Sequence, residues 1–116
     1  MSNTIKIYHN PRCTKSRETL DLIQKKNKNV EVIEYIKTPP TEKELKEIIK
    51  MLGIKAEQLI RKKEKLFEEK YKNKKLSEDA WIKAMVKNPI LIERPIIING
   101  KKAAIGRPPE KVLEIL

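Results

Sequence analysis

Residues 4–35 of this 116-residue chain show a strand–helix–strand pattern. Polar and apolar positions alternate over residues 4–8, which predicts a first β-strand. Over residues 14–26 apolar positions stand among charged ones, which predicts a moderately amphipathic helix. Residues 30–35 predict a second strand. Because a helix connects them, the two strands are expected to be parallel, with a right-handed crossover.

A helical block is predicted from about residue 40 to residue 88. Its first helix begins after Thr41, which forms a capping box with Glu44, and it ends at Gly53. The apolar residues of this helix fall at i, i+3, i+4 and i+7, and they are Leu45, Ile48, Ile49 and Leu52.

The rest of the block holds shorter elements. Helical pieces are predicted over residues 56–63 and 64–72, followed by a loop at residues 72–75. Ser77 is a typical N-cap for a further helix, which ends near Asn88. The residues of that helix predicted to face the core are Trp81, Ala84 and Met85.

The C-terminal part of the chain predicts a β-hairpin and a closing helix. Residues 96–98 and 101–105 are its strands, and Asn99-Gly100 is the favoured pair for a tight type I′ turn. Pro108 and Pro109 lead into a helix through Leu116, since proline suits a first helical turn. The order β-α-β, helical block, β-β-α predicts an α/β protein with one mixed four-stranded sheet.

Length and composition predict a single domain over residues 1–116. No apolar run is long enough to cross a membrane, and no signal-peptide pattern is expected at the start. The single cysteine cannot form an internal disulfide, which favours a cytoplasmic location. Any thiol that resolves an oxidised Cys13 must therefore come from another molecule.

The net charge of +11 raises the question of nucleic-acid binding. The chain has 22 Lys and 5 Arg, the lysines are spread through most segments, and aromatic residues make up only 4%. A solvated, lysine-rich surface is the favoured interpretation, and no nucleic acid is expected as a partner. Each arginine then becomes a candidate for a place that needs a planar, forked donor. These are Arg12, Arg17, Arg61, Arg94 and Arg107.

Cys13 lies between the first predicted strand and the helix that follows it. The unpaired N–H groups and the positive dipole end of a helix favour a thiolate over a thiol. An ordinary thiol, with a pKa of roughly 8.5, is only a few per cent ionised at pH 7, and such a position lowers that pKa. Most isolated cysteines are small buried core residues. The polar and basic neighbours of Cys13 favour a reactive thiol instead.

A thiolate at a helix N-terminus suits an anionic electrophile, because such a terminus binds oxyanions. Arg61, Arg94 and Arg107 would supply forked donors for a tetrahedral oxyanion if the fold brings them to Cys13. Each is otherwise an ordinary surface charge. Arg94 and Arg107 precede prolines, which favours extended backbone and fixes how they project. The Arg94–Pro95 bond is also a candidate cis peptide.

Three familiar sites are excluded. A phosphatase-type loop needs an arginine six positions after its cysteine, where this chain has Thr19. Ser16 occupies the place of the second sulfur in a C-x-x-C motif. Zinc is not expected with one Cys, one His and no ligand spacing, so the site is predicted to hold no metal.

Three further polar residues near Cys13 are open to two interpretations each. His9 either tunes the thiolate as an imidazolium or anchors the turn by a hydrogen bond. Asn10 is a supporting site residue or simply stabilises the turn. The Ser16 hydroxyl either donates to the sulfur or is an ordinary first-turn group.

Four segments together resemble the glutaredoxin-coupled arsenate reductase family, in order along essentially the whole chain. They are residues 7–17 (IYHNPRCTKSR), 59–62 (LIRK), 88–96 (NPILIERPI) and 106–108 (GRP). The resemblance implies a thioredoxin-like fold with a helical insertion at about residues 40–88. It implies Cys13 as the nucleophile, Pro95 as a cis-proline beside the active site, and arsenate and arsenite binding by Arg61, Arg94 and Arg107.

The family mechanism implied by the resemblance has three stages. The Cys13 thiolate attacks arsenate, glutathione reduces the arsenic and leaves a mixed disulfide, and glutaredoxin removes the glutathione as arsenite departs. Glutathione is a co-substrate, and no bound cofactor is implied. Thr14-Lys15 differs from the Gly-Thr of resistance-operon members, which also carry a longer C-terminal tail. Both features imply the short chromosomal branch.

Two alternatives to arsenate reduction use the same scaffold. One is a glutathione-dependent thiol oxidoreductase with another substrate. The other is a regulator without enzymatic activity, similar to the Spx-type proteins that bind RNA polymerase. The absence of a second sulfur counts against a redox switch of the latter kind.

Overall fold

The structure, a computed structural model, describes residues 4–26 and 29–116. The chain divides into two compact units. The first joins the chain up to Thr38 with Arg94–Leu116, and the second is Pro39–Glu93. The organisation as a single domain with a helical insertion at about residues 40–88 stays a prediction.

The first unit contains a mixed four-stranded sheet with the strand order β2-β1-β3-β4. Its strands are β1 (Ile5–His9), β2 (Val30–Glu34), β3 (Ile96–Asn99) and β4 (Lys102–Ile105). β1 pairs with β2 in parallel and with β3 in antiparallel orientation, and β3 pairs with β4 in antiparallel orientation. The predicted sheet and its parallel strand pair are confirmed.

One face of this sheet is covered by α1 (Thr14–Lys25) and by a closing 3-10 helix (Pro109–Glu114). Side chains two positions apart in a strand point to the same face, so Ile5 and Ile7 both enter this core. The fully or nearly fully buried residues of the cluster are Ile5, Ile7, Ile23, Ile97 and Val112.

The closing helix differs from the prediction of a helix through Leu116. It is a 3-10 helix that ends at Glu114, with i to i+3 bonds such as Lys111 N–H to the Pro108 oxygen at 3.0 Å. Short segments that cannot extend into a regular α-helix commonly adopt this tighter winding.

The predicted type I′ turn at Asn99-Gly100 is wrong by one residue. Asn99 is the last residue of β3 and pairs with Lys102, so the turn centre is Gly100-Lys101. Gly100 has a φ of 63°. A two-residue turn with a positive φ at its first position only is of type II′, which favours glycine there. The Asn99 side chain instead donates to the Ile115 carbonyl at 2.6 Å.

The second unit is helical. It consists of α2 (Glu42–Leu52), a 3-10 helix (Ala56–Leu59), α3 (Lys65–Lys70), α4 (Glu78–Lys87) and a 3-10 helix (Pro89–Leu91).

The two helix starts with a predicted capping residue, Thr41 and Ser77, are confirmed. The Thr41 side chain accepts from the Glu44 N–H at 3.1 Å, and the Glu44 carboxylate accepts from the Thr41 N–H at 3.0 Å. The Ser77 hydroxyl accepts from the Ala80 N–H at 3.2 Å. The residues predicted to face the core of the last helix, Trp81, Ala84 and Met85, are buried.

The helix predicted over residues 56–63 is too long. Helical structure ends at Leu59, because Ile60 turns extended and forms an antiparallel bridge with Ile92. Within residues 4–26 and 29–116, every helix is too short or too polar to span a bilayer.

Candidate active site

The strand register of the first unit brings three chain segments to one edge of the sheet. Tyr8 in β1 lies opposite Ile96 in β3, and Ile96 lies opposite Ile105 in β4. The residues that follow β1, precede β3 and follow β4 therefore meet at this edge. These three segments carry Cys13, Arg94 and Arg107 respectively.

A tight turn after β1 places Cys13 at the start of α1. The Cys13 N–H donates to the Asn10 carbonyl at 3.0 Å, and the Arg12 N–H donates to the Asn10 side-chain oxygen at 3.0 Å. Asn10 thus stabilises the turn. Cys13 is the N-cap of α1 with extended backbone, and its side chain is only partly exposed. The sulfur therefore faces the positive end of the helix dipole.

The Arg107 guanidinium is held at the sulfur by two hydrogen bonds. Its Nε donates to the Arg94 carbonyl at 2.7 Å, and its Nη2 donates to Cys13 Sγ at 3.4 Å. A lysine could not make both contacts, because they require a planar fork.

The Arg94 side chain is buried, with 9% of its surface exposed. Among the described residues, no hydrogen-bond partner exists for its Nε or Nη1 atoms. Arginine stays protonated in proteins, so the free-energy cost of burying its guanidinium cannot be avoided by loss of the charge. An unsatisfied buried donor costs about 1–3 kcal/mol, and more when charged. Such an arrangement is suited to an anion that supplies the missing acceptors.

The pKa of the Cys13 thiol is lowered. Burial alone would raise this pKa, but three groups outweigh it: the Ser16 backbone N–H, the donating and positively charged Arg94 side chain, and the charge of Arg107. Each stabilises the thiolate. The site therefore favours a nucleophilic sulfur surrounded by donors that also suit an oxyanion.

His9 and Ser16 form a buried network beside this sulfur. His9 Nδ1 and Ser16 Oγ are 2.6 Å apart, and Ser16 Oγ also accepts from the Asn10 N–H at 3.1 Å. Burial lowers the pKa of His9; the charge of Glu34 opposes this shift and that of Arg17 adds to it. The ring is therefore neutral near pH 7, which favours the anchoring interpretation over an imidazolium. The Ser16 hydroxyl bonds this network, while its backbone N–H acts on the sulfur.

The fourth predicted binding residue, Arg61, lies in the helical unit. Its backbone N–H donates to the Leu91 carbonyl at 2.8 Å beside the Ile60–Ile92 bridge. Its guanidinium pairs with Glu64 at 2.6 Å and with Glu93 at 3.4 Å. The approach of Arg61 to Cys13 stays a prediction.

Neither carboxylate around Arg61 was among the predicted site residues. Glu64 follows Arg61 by three positions, which was the available signal. Glu93 precedes Arg94 directly, but only the bridge brings it to Arg61.

The peptide bond between Arg94 and Pro95 is cis, as proposed from the sequence. The bond between Arg107 and Pro108 is also cis, which the sequence analysis did not anticipate. In the described part of the chain, no three His, Cys, Asp or Glu side chains are grouped so that they could hold a metal ion.

Comparison with known proteins identifies the family. The ArsC family model matches residues 8–115. The uncharacterised protein YfgD of Escherichia coli K12 is 50% identical over 118 residues, which cover 100% of this chain and 99% of that protein. An arsenate reductase of the same strain is 43% identical over 117 residues, which cover 100% of this chain and 82% of the relative.

The solved structures give the same result. An arsenate reductase of known structure from Vibrio cholerae is 44% identical in sequence to this chain and superposes on it with a TM-score of 0.94. The match covers 100% of both chains. The α/β sheet with its helices is thus the thioredoxin-like fold of the arsenate reductases it resembles. The chain belongs to the ArsC family.

Proposed function

We propose that this protein reduces arsenate to arsenite through Cys13, with glutathione and glutaredoxin as the source of electrons. The observation that carries the proposal is the pair of buried Arg94 donors that have no partner in the described part of the chain, next to a sulfur whose pKa is lowered. Membership of the ArsC family and its relatives named arsenate reductase support the choice of oxyanion.

In the first step the Cys13 thiolate attacks arsenic. A sulfur–arsenic bond forms, and one arsenate oxygen leaves as hydroxide, which takes up a proton to become water. Arg94 and Arg107 hold the remaining oxygens, because charge-assisted forks match a tetrahedral oxyanion. Arg61 is the third proposed arsenate and arsenite ligand. Pro95, His9, Asn10 and Ser16 support the turn and the helix start around the sulfur.

In the second step a glutathione thiolate attacks the Cys13 sulfur. A disulfide forms between Cys13 and glutathione, and the electron pair of the sulfur–arsenic bond goes to arsenic. Arsenic is thereby reduced by two electrons to arsenite, and two thiols are oxidised to one disulfide.

In the third step a glutaredoxin thiolate attacks the glutathione sulfur and releases the Cys13 thiolate. The reductant has to be external because the chain has only one cysteine. Dependence on a reduced glutathione pool fits a cytoplasmic location.

The test is arsenate-dependent oxidation of NADPH in the presence of glutathione, glutaredoxin and glutathione reductase. Turnover is expected for the wild type and is expected to vanish in Cys13→Ser, in which the nucleophile is lost. Wild-type turnover no greater than that of Cys13→Ser would refute the proposal.

Two further measurements, Cys13 glutathionylation and polymerase binding, separate the two alternatives. Glutathionylation of Cys13 that glutaredoxin reverses without stimulation by arsenate would indicate another thiol substrate. Retention of the RNA polymerase α C-terminal domain by a protein inactive in both assays would indicate a regulator.

A further inference from the structure

We propose that Gly106 is a positioning residue. Because it has no side chain, the end of β4 lies directly against Thr19 and Pro95, and this contact holds the Arg107 guanidinium against Cys13. The inference rests on the proposed role of Cys13 and Arg107, and it adds two residues outside the predicted site. Sequence analysis used Thr19 only to exclude a phosphatase loop.

Gly106 is packed more closely than any side chain would allow. A Cβ at this position would lie 2.6 Å from Thr19 Oγ1, 2.9 Å from Pro95 Cγ and 3.0 Å from Thr19 Cγ2. Cβ contacts under 3.0 Å essentially never occur, so an alanine here would displace the segment by at least about 0.4 Å. Glycine is therefore required for close approach of the chain to α1.

Neither neighbour can yield easily. Thr19 is completely buried in α1, and its Oγ1 donates to the Lys15 carbonyl at 2.8 Å. Its β-branched side chain has few rotamers open to it within a helix. The Pro95 ring is rigid, and the Pro95 carbonyl accepts the Gly106 N–H at 2.9 Å. A displacement would therefore fall on the β4 end rather than on α1.

Arg107 directly follows Gly106, so it moves with that segment. Its fork spans the 2.7 Å bond to the Arg94 carbonyl and the 3.4 Å contact with Cys13 Sγ. The sulfur contact is the longer of the two and has little tolerance for further lengthening. Loss of this contact would remove one of the groups that stabilise the thiolate.

The experiment measures the Cys13 pKa from the pH dependence of iodoacetamide alkylation, in five variants and the wild type. Gly106→Ala is expected to raise the midpoint by at least half of the shift that Arg107→Ala produces. In the double variant Gly106→Ala/Arg107→Ala, the glycine substitution is expected to add nothing, because it acts through Arg107. Thr19→Ala alone is expected to shift the midpoint less than Gly106→Ala does, because the Gly106 N–H bond to the Pro95 carbonyl still holds the end of β4.

The fifth variant is Thr19→Ala/Gly106→Ala. Thr19→Ala removes Oγ1 and Cγ2, two of the three atoms that would lie nearest to an added Cβ. The double substitution is therefore expected to recover at least half of the midpoint shift caused by Gly106→Ala. Gly106→Ala is also expected to lower arsenate kcat/KM roughly tenfold, since it weakens one charge-assisted contact. The double substitution is expected to recover at least half of this loss on a logarithmic scale.

Three results would overturn the proposal: a wild-type midpoint in Gly106→Ala, shifts that add in Gly106→Ala/Arg107→Ala, or no recovery with Thr19→Ala. Circular dichroism establishes that each variant is folded. If Gly106→Ala does not fold, the alkylation midpoint of Thr19→Ala/Gly106→Ala is compared with that of Thr19→Ala instead. If neither variant that carries Gly106→Ala folds, the glycine is needed for the whole fold and not only to position Arg107, which contradicts the proposal. The alkylation midpoint needs no arsenate turnover, so failure of the proposed function leaves this test intact.

Discussion

Arg94 and Arg61 were predicted together as oxyanion ligands, yet the structure gives them opposite surroundings. In the described residues, two donor atoms of the buried Arg94 guanidinium have no partner. Arg61, with 20% of its side chain exposed, is paired with the carboxylates of both Glu64 and Glu93.

The difference shows that residue type alone does not define an anion site. Arg94 has unsatisfied donors, which makes its surroundings complementary to an incoming oxyanion. Arg61 already has two counter-charges, so an oxyanion would meet a guanidinium whose positive charge is largely compensated. We therefore expect Arg94 to contribute more to substrate binding and less to the stability of the free protein than Arg61 does.

The largest effect is expected from Arg94→Met, which removes the charge and keeps a long side chain. A charge-assisted bond to a bound oxyanion contributes about 1.5–3 kcal/mol, so arsenate kcat/KM should fall roughly ten- to hundredfold. The free energy of unfolding should stay unchanged or rise, because two unsatisfied buried donors are removed. Steady-state kinetics and urea denaturation measure the two quantities.

Lys72→Met is the control for this variant, since Lys72 is an exposed cation in a loop of the helical unit. It should change neither quantity appreciably. A clear loss of stability in Arg94→Met would mean that its donors are satisfied in the free protein, and the contrast with Arg61 would disappear.

Arg61→Met should have the opposite pattern, with a smaller effect on arsenate kcat/KM and a larger effect on the free energy of unfolding than Arg94→Met. Arsenate kcat/KM should fall only about three- to tenfold, because carboxylates already occupy the guanidinium. The free energy of unfolding should decrease by about 1 kcal/mol, since two partly buried ion pairs are lost and their carboxylates remain unpaired.

Lys62→Met is the matched control for Arg61→Met. Lys62 pairs with Glu57 at 2.8 Å, but both side chains are more than half exposed. Its loss should therefore alter the free energy of unfolding by less than about 0.5 kcal/mol. If Arg61→Met lowered kcat/KM as much as Arg94→Met does, the two carboxylates would not restrain Arg61 in the way inferred.

The sheet and the capped helices could be predicted because their signals are local. The Thr41 capping box and the alternation in β1 lie within a few residues of the elements that they specify. The end of the first 3-10 helix could not be predicted, because the bridge that stops it joins Ile60 to the distant Ile92. The hairpin turn was misplaced because Asn99 belongs to β3 and pairs with Lys102, and its side chain bonds the distant Ile115 carbonyl.

For the candidate site, the residue types could be predicted from the sequence, but the contacts and burial of these residues could not. Cys13 and Arg107 could be proposed from the motif, and their 3.4 Å contact follows from strand register. The missing partners of Arg94 and the tight contact of Gly106 with Thr19 depend on three-dimensional packing. No pattern along the chain reports either.

The smallest predicted effect concerns His9, the other buried basic side chain of the site. Unlike Arg94, His9 can lose its proton and so avoid the cost of a buried charge. Its pKa lies below the usual 6.5. As pH falls below about 6.5, the unfolded chain takes up a proton that the folded protein excludes, so folding stability decreases down to the folded-state pKa. Above about 6.5 the ring is neutral in both states and contributes no slope.

His9→Asn places a non-titrating amide near Ser16 Oγ and should remove this slope. The difference in unfolding free energy between wild type and variant should be constant from pH 8 to about 6.5 and then shift in favour of the variant as pH falls. His9 is the only histidine, and every other titratable group, including the Cys13 thiol, is present in both proteins, so its contribution cancels in the difference. A constant difference down to pH 5 would mean that His9 accepts its proton in the folded state as readily as in the unfolded one. His9 would then be a third cation of the site, in addition to Arg94 and Arg107, and a charged imidazole rather than a neutral anchor would help to hold the thiolate.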